Sequence, residues 1–209
     1  MNEISPYTSL DAALNELDNG GRFYNVFTEA KDGEISTAEL SKVAGIFSNK
    51  QKSILFLALS ISNLTEGEQK NLISKLDDTL REAYLKFQPQ NLLPSQAGNE
   101  GILASNAILT GVPRFIDSKS EFSGFIMVPI MVGNITTFSM IPIVQNYDIY
   151  ELSDPHSSET FIIAQVKGKT RLPEQNMTIG GVFKELRTNK EEKEASKKFL
   201  EVAYHILVE

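Results

Sequence analysis

Cysteine and tryptophan are absent from this 209-residue sequence, and histidine occurs only 2 times. Without cysteine the chain can form no disulfide and no thiolate metal site, and it has no cysteine nucleophile. No apolar run approaches the roughly 20 residues that a membrane-spanning helix needs. The N-terminal residues have neither the basic start nor the apolar core of a signal peptide. We therefore expect a cytoplasmic protein without a membrane span.

Positive charge is not in excess either, because 20 Lys and Arg residues face 27 Asp and Glu residues and the net charge is −7. This balance provides no general attraction to nucleic acid or to an anionic membrane, so we expect no nucleic-acid partner. A hydrophobic content of 41% with 22% charged residues is ordinary for a globular protein. The length suits one large domain or two small ones.

The first part of the chain has the patterns of helices. Ser36 with Glu39, and Thr65 with Glu68, have the spacing of capping boxes, in which two side chains satisfy the first free N–H groups of a helix. The run 53–59 is apolar all round and predicts a central buried helix. Apolar residues at helical spacing from 72 to 87 predict one further helix. We expect a domain of four to five helices over residues 1–92.

Periodicity is lost after residue 88, where proline, glycine and amide side chains are frequent, so a linker or crossing loop is expected over 93–106. Strand patterns follow, and the last segment has Phe199, Val202 and Ile206 at helical spacing. We predict an α+β protein in which residues 107–209 form an antiparallel β-sheet or barrel-like domain closed by a C-terminal helix.

Residues 124–144 are the densest strand-forming stretch. Gly133-Asn134 divides it, and this pair tolerates the positive φ angles of a two-residue hairpin turn. With that turn, Val132 pairs with Ile135 and all other pairs follow in register. Pro129 and Pro142 each remove a donor that would point away from the hairpin, so a neighbouring strand must be interrupted there.

One face of this hairpin carries flexible, adaptable side chains. Its members are Phe125, Met127, Met131, Phe138 and Met140. Two interpretations remain open: a surface for a protein partner or an apolar small molecule, or a contact within the core or between domains, which is the commoner use of such stripes. No catalytic constellation accompanies it. The function that we expect is non-enzymatic binding or regulation through this Met/Phe face, and the sequence leaves the oligomeric state open.

Residues 28–39 partly match an EF-hand calcium loop. Asp32, Gly33 and Glu39 take the fifth, sixth and twelfth positions, which supply a carboxylate, a sharp turn and a bidentate carboxylate. The first and third positions are Thr28 and Ala30, so two ligands are missing. Asp32 and Glu39 are the candidate metal ligands of a degenerate calcium-binding regulator. The alternative is a loop followed by the Ser36 capping box, which explains Glu39 without metal. No other cofactor is expected.

Three positive residues, Lys167, Lys169 and Arg171, alternate after an apolar strand pattern. On a strand they would share one solvent face, where they could bind phosphate or another anion. A charged outer face of an antiparallel strand is the commoner explanation.

Asp148 and the segment Gln165-Val166-Lys167 resemble the PD-(D/E)XK nucleases, in which one strand provides Asp and the next provides Glu-x-Lys around magnesium. The resemblance implies a magnesium-dependent hydrolase built on Asp148, Gln165 and Lys167. Gln165 stands where those enzymes have a carboxylate, which magnesium prefers. This hydrolase and the calcium regulator are the alternatives to the binding protein.

Overall fold

The computed structural model describes residues 3–20, 29–116, 124–132, 135–143, 147–155, 157–187 and 197–208, with the backbone alone at 124–132, 135–143, 186, 187 and 197. Contacts divide the chain into two compact units. Ile4–Pro89 forms one, which we call the helical unit. Met1–Glu3 together with Gln90–Glu209 forms the other, which we call the β unit. The α+β class is confirmed, with helices first and a sheet after them.

Five helices make up the described part of the helical unit: α1 (Leu10–Leu17), α2 (Thr37–Ala44), α3 (Lys50–Ser60), α4 (Glu66–Ser74) and α5 (Asp78–Phe87). Both predicted capping boxes are confirmed, at the starts of α2 and α4. Helix α3 is buried along most of its surface, and Ile54, Leu57 and Leu59 are fully buried. The apolar residues Phe23, Val26 and Phe27 also predict a short helix over residues 22–29, which falls largely outside the described residues.

The single helix predicted up to residue 87 is wrong, because the chain breaks between α4 and α5. Asp77 caps α5 by accepting the Leu80 N–H at 2.6 Å. The Ile35 N–H donates to the Lys75 carbonyl at 2.7 Å, and the Asp77 N–H donates to the Ile35 carbonyl at 2.9 Å. These tertiary hydrogen bonds use the backbone groups that a continuous helix would have used itself.

The β unit contains one helix and eight strands among the described residues. In chain order they are β1 (Gln90–Leu92), α6 (Pro94–Glu100), β2 (Asn106–Ile116), β3 (Gly124–Val132), β4 (Ile135–Ile143), β5 (Tyr147–Ser153), β6 (Thr160–Val166), β7 (Met177–Arg187) and β8 (Lys197–Leu207). The stretch 93–106, expected as a linker or crossing loop, thus contains α6. Asp154 holds the first turn of this helix by accepting the Ser95 N–H at 3.1 Å.

The strand order is β1-β2-β5-β6-β8-β7-β3-β4, with a further pairing between β2 and β7. The pairings of β2, β5, β6, β8 and β7 therefore return to β2 and form a closed ring. Strand β2 changes partner at Gly111, which pairs with Met177 of β7, whereas Val112 pairs with Ser153 of β5. A Cβ at Gly111 would lie 2.3 Å from the Ser153 carbonyl oxygen, so only glycine permits this close approach.

The sheet is mixed rather than antiparallel, because β1 runs parallel to β2 and β6 runs parallel to β8. Inside the ring, Tyr150, Ile163, Phe183 and Leu200 are buried in one core cluster. On the other side of the same strands, Ile149, Ala164 and Phe199 form a second, smaller cluster. Strands with both faces covered lose the alternation of apolar and polar residues that half-exposed strands show.

The predicted C-terminal helix is wrong, because this segment is β8. Four of the six residues from Val202 to Leu207 are aliphatic, and the strand lies between β7 and β6 with both faces covered. A strand with apolar residues at most positions contains a helical spacing by chance, and aromatic and β-branched residues favour the strand. Thr188 and Glu191 have the spacing of a further capping box, but both lie outside the described residues.

Candidate functional site

Strands β3 and β4 form a two-stranded ribbon, and their register is the predicted one. Met127 pairs with Met140, Pro129 with Phe138, and Val132 with Ile135. The turn residues Gly133 and Asn134 lie outside the described residues. Strand-forming residues on both sides of a turn-forming pair are enough to set this register, because each pair follows from the first.

The register brings the five residues of the predicted Met/Phe face onto one side of the ribbon. Phe125, Met127 and Met131 occupy alternate positions of β3, and Phe138 and Met140 occupy alternate positions of β4, directly across from the same side. The side chains of these residues lie outside the part of the chain that the structure describes. Their shared face follows from the backbone pairing alone.

Only the base of the ribbon pairs with the ring among the described strands. Phe125 pairs with Arg187 and Ile126 with Leu186 of β7, and no described strand pairs with the outer edge of β4. From Met127 to Val132 the ribbon extends about 20 Å at roughly 3.4 Å per residue. Pro129 lies just past the last pair with β7, as expected for a residue that cannot donate to a third strand.

The strand predicted to carry the anion-binding candidates is wrong, whereas anion binding by these residues stays a prediction. Strand β6 ends at Val166, and Gly168 has a φ of 90°, which turns the chain. Lys167 in this turn and Lys169 and Arg171 after it are all exposed. The Arg171 guanidinium lies 4.1 Å from the centre of the Phe115 ring, a cation–π contact that holds it against β2.

Asp148 and Gln165, two of the three residues in the hydrolase alternative, are directly paired across β5 and β6. Gln165 is only 1% exposed, and its carbonyl oxygen lies 3.5 Å from the Tyr150 hydroxyl. Lys167 is exposed in the turn beyond the strand. Asp148 and Gln165 thus pair as the two predicted strands imply. The Gln165 side chain, however, is buried inside the ring, where its oxygen contacts the Tyr150 hydroxyl.

Tyr150 is a second residue with a polar group inside the ring, and the sequence patterns gave no sign of its role. Its hydroxyl accepts the Leu172 N–H at 3.3 Å, and its ring packs edge-on against Phe115 at 5.5 Å between centres. Burial raises the pKa of the Tyr150 hydroxyl, so it stays protonated and available as a hydrogen-bond donor. A tyrosine in an apolar strand pattern gives no signal of this role in advance.

On the outer side of the ring, Tyr147, Glu201 and Lys184 form a partly buried network. The Tyr147 hydroxyl donates to a Glu201 oxygen at 2.8 Å, and the Lys184 ammonium contacts the same oxygen. Burial, together with the Glu201 charge, raises the pKa of Tyr147. These residues come from three different strands, so their spacing along the chain gave no sign of the network.

In the calcium-loop candidate, Glu39 is a structural carboxylate. It is fully buried, and it accepts the Gly20 N–H at 2.7 Å on one oxygen and the Ser36 N–H at 2.8 Å on the other. The Ser36 hydroxyl also lies 2.9 Å from that second oxygen. Both oxygens that a calcium ion would use therefore already accept hydrogen bonds.

The loop itself is arranged around a second carboxylate that the sequence did not reveal. Asp18, at the end of α1, accepts the Asp32 N–H at 3.2 Å and the Gly33 N–H at 3.0 Å. The other candidate ligand, Asp32, accepts the Glu34 N–H at 2.9 Å within the loop. Backbone N–H groups directed at a carboxylate make an environment for an anion, whereas calcium requires converging oxygens.

Within the described ranges, no group of three or more His, Asp and Glu side chains could hold a metal ion. In the same ranges, every helix is too short or too polar to span a lipid bilayer. No protein-family model matches the chain, and no curated protein sequence matches it either.

Proposed function

We propose that this chain is a non-enzymatic binding protein whose β3–β4 ribbon docks on a protein partner through the Met/Phe face. The observation that carries the proposal is the pairing of the ribbon, which among the described strands joins the ring only at Phe125 and Ile126. A two-stranded ribbon is at best marginally stable in water, so an apolar one needs a cover.

The position of the ribbon in the topology supports a binding role. The ring pairs its strands in the order β2-β5-β6-β8-β7, and β6 and β8 are its parallel pair. The OB fold has this order, and the connection between its first two strands is one of its ligand-binding loops. The ribbon is the corresponding connection here, between β2 and β5. This is an analogy of topology, and a fold alone does not determine a function.

The composition of the ribbon favours a protein over a nucleic acid. Residues 124–143 contain no Asp, Glu, Lys, Arg or His. A nucleic-acid surface is built from cations that neutralise phosphates, whereas the centre of a protein interface is poor in charge and rich in Met and aromatic residues.

The experiment compares two double variants of the tagged full-length protein in its own host. Met127→Asp with Met140→Asp places two charges on the Met/Phe face. Thr137→Asp with Ser139→Asp places two charges on the opposite face of the same ribbon. We expect a partner, identified by mass spectrometry, to co-purify with the wild type and the second variant and to be lost from the first.

Circular dichroism verifies that both variants are folded. If the folded Met127/Met140 variant retains the partner, the proposal is wrong. If both variants lose it equally, the assignment to this face is wrong.

A further inference from the structure

The helical unit contains an open pocket of about 110 Å³ between α2, the loop 45–49, the first turn of α3, and α5. Its floor is buried and mostly apolar, formed by Leu40, Leu80 and Ala83 together with the small polar residues Ser41 and Ser53. Its rim includes the exposed residues Phe47 and Lys50. A buried floor with an exposed rim means that the pocket is accessible from solvent.

The size of the pocket selects one kind of occupant. A cavity of about 150 Å³ lined by apolar residues takes up a benzene molecule. At about 110 Å³, this pocket suits one branched aliphatic side chain. Phe47, at the rim, is 82% exposed, which leaves a large apolar surface beside the opening for a neighbouring part of the occupant.

The positive charge around the opening of the pocket determines which chemical group can lie next to that aliphatic side chain. Lys50 and Lys52 lie in the first turn of α3, and this turn has no acidic residue. The N-terminus of a helix already carries partial positive charge, so two lysines there create a positive site on a chain with a net charge of −7. A carboxylate next to the pocket would be stabilised by both contributions.

We propose that this pocket binds a short acidic segment of a partner protein, with one leucine or isoleucine side chain in the pocket and an adjacent aspartate or glutamate at Lys50. The Thr37 hydroxyl lines the pocket, and its oxygen is buried with no hydrogen-bond partner in the described part of the chain. A backbone group of the bound segment supplies that partner. The site does not depend on the ribbon, and either proposal stands if the other fails.

The test is a peptide titration of the full-length protein followed by amide shifts in ¹⁵N NMR spectra. The probe is a capped heptapeptide with a central leucine and two acidic residues on each side. One control peptide has serine in place of leucine, and another has lysines in place of the acidic residues. We expect shifts at the residues of the pocket, and about tenfold weaker binding for either control.

Variants of the protein test whether the acidic peptide binds at the pocket or is attracted by positive charge elsewhere on the surface. Lys50→Glu reverses the rim charge, and we expect about tenfold weaker binding of the acidic peptide. Lys70→Glu is the matched control, because Lys70 is exposed on α4 and does not line the pocket; its affinity should equal that of the wild type. Ala83→Phe fills the floor and should abolish binding.

Three results would overturn the proposal. These are no shifts at millimolar acidic peptide, equal binding of the lysine peptide, or equal losses in Lys50→Glu and Lys70→Glu. Because Lys50 is exposed, the Lys50→Glu variant should remain folded. The test therefore stays decisive even if Ala83→Phe unfolds the helical unit.

Discussion

Two glutamates, Glu39 and Glu68, hold the same position in two capping boxes and differ in burial. Glu39 is fully buried and accepts N–H groups from both Gly20 and Ser36. Glu68 is only partly buried and accepts the Thr65 N–H of its own capping box, with the Leu10 N–H as a further partner. Glu39→Ala leaves buried donors without acceptors, and we expect it to reduce the free energy of unfolding by about 2–4 kcal/mol.

Glu68→Ala is the matched control and should have a much smaller effect. Urea unfolding followed by far-ultraviolet circular dichroism measures both, since the helical unit gives most of that signal. Equal losses for the two variants would show that the long-range hydrogen bond from Gly20 contributes nothing.

The environment of His205 leads to a second prediction at the residue scale, which concerns the dependence of stability on pH. It is 9% exposed on β8, pairs with Ile179, and lies beside Glu3. Burial lowers the pKa of His205 below its ordinary value of 6.5, although the Glu3 charge opposes the shift. As pH falls below about 6.5, the unfolded state therefore binds a proton first, and the contribution of neutral His205 to stability is progressively lost.

We expect the imidazole resonance of folded protein to titrate below pH 6.5, and His205→Gln to identify that resonance by removing it. The free energy of unfolding should fall less steeply in His205→Gln than in the wild type as pH drops below about 6.5. A titration at or above the ordinary value would mean that His205 is solvated or paired.

At the scale of elements, two glycines of the β unit differ in the space around them. Gly111 lies where β2 changes partner, and Gly98 lies in α6. A Cβ at Gly111 would meet the Ser153 carbonyl oxygen at 2.3 Å and a Leu152 side-chain carbon at 3.1 Å. Gly98 is exposed in α6, and a Cβ there would meet nothing within 4 Å. Gly111→Ala should cost about 2–4 kcal/mol of unfolding free energy, whereas Gly98→Ala should stabilise by about 0.5–1 kcal/mol.

Thermal unfolding of the β unit compares these two variants, because both residues belong to it. If Gly111→Ala melts with the wild type, the backbone of β2 has room to move, and the close approach does not constrain the ring.

Elements were predictable where local chemistry decided them. Gly133-Asn134 and the strand-forming residues on both sides of it predicted the ribbon register, and Ser36 and Thr65 marked two helix starts before any contact was known. Strand β8 was not predictable in this way, because its apolar residues fit both periods until pairing with β6 and β7 decides between them.

The same limit applies to the candidate sites. Asp18 accepts hydrogen bonds from residues 14 and 15 positions away, and Gly20 donates to Glu39 from 19 positions away. Sequence spacing carries no information about such contacts, so the calcium loop resembled a cation site while its backbone encloses carboxylates.

At the scale of the whole molecule, the two units have separate interiors. The buried cluster of the helical unit draws its members from residues 13–83, and the main cluster of the β unit draws its members from residues 97–202. The carboxylates that brace the helical unit, Asp18 and Glu39, accept their hydrogen bonds from residues of that same unit. Each unit therefore has its own core, and the helical unit supplies the hydrogen bonds of these two carboxylates from within.

This separation predicts that residues 4–89 fold without the rest of the chain. Domains of about 55–65 residues fold alone when they have one core, and this fragment is longer. We expect the isolated fragment to show helical circular dichroism and cooperative thermal melting, and its ¹⁵N NMR peaks to overlay those of the same residues in the full chain. Glu39→Ala should destabilise the fragment as much as it destabilises the full protein, because every bond that it removes is internal. A fragment with random-coil spectra would instead mean that the helical unit derives its stability from the β unit, and the Glu39 variant of the full chain would then report on both.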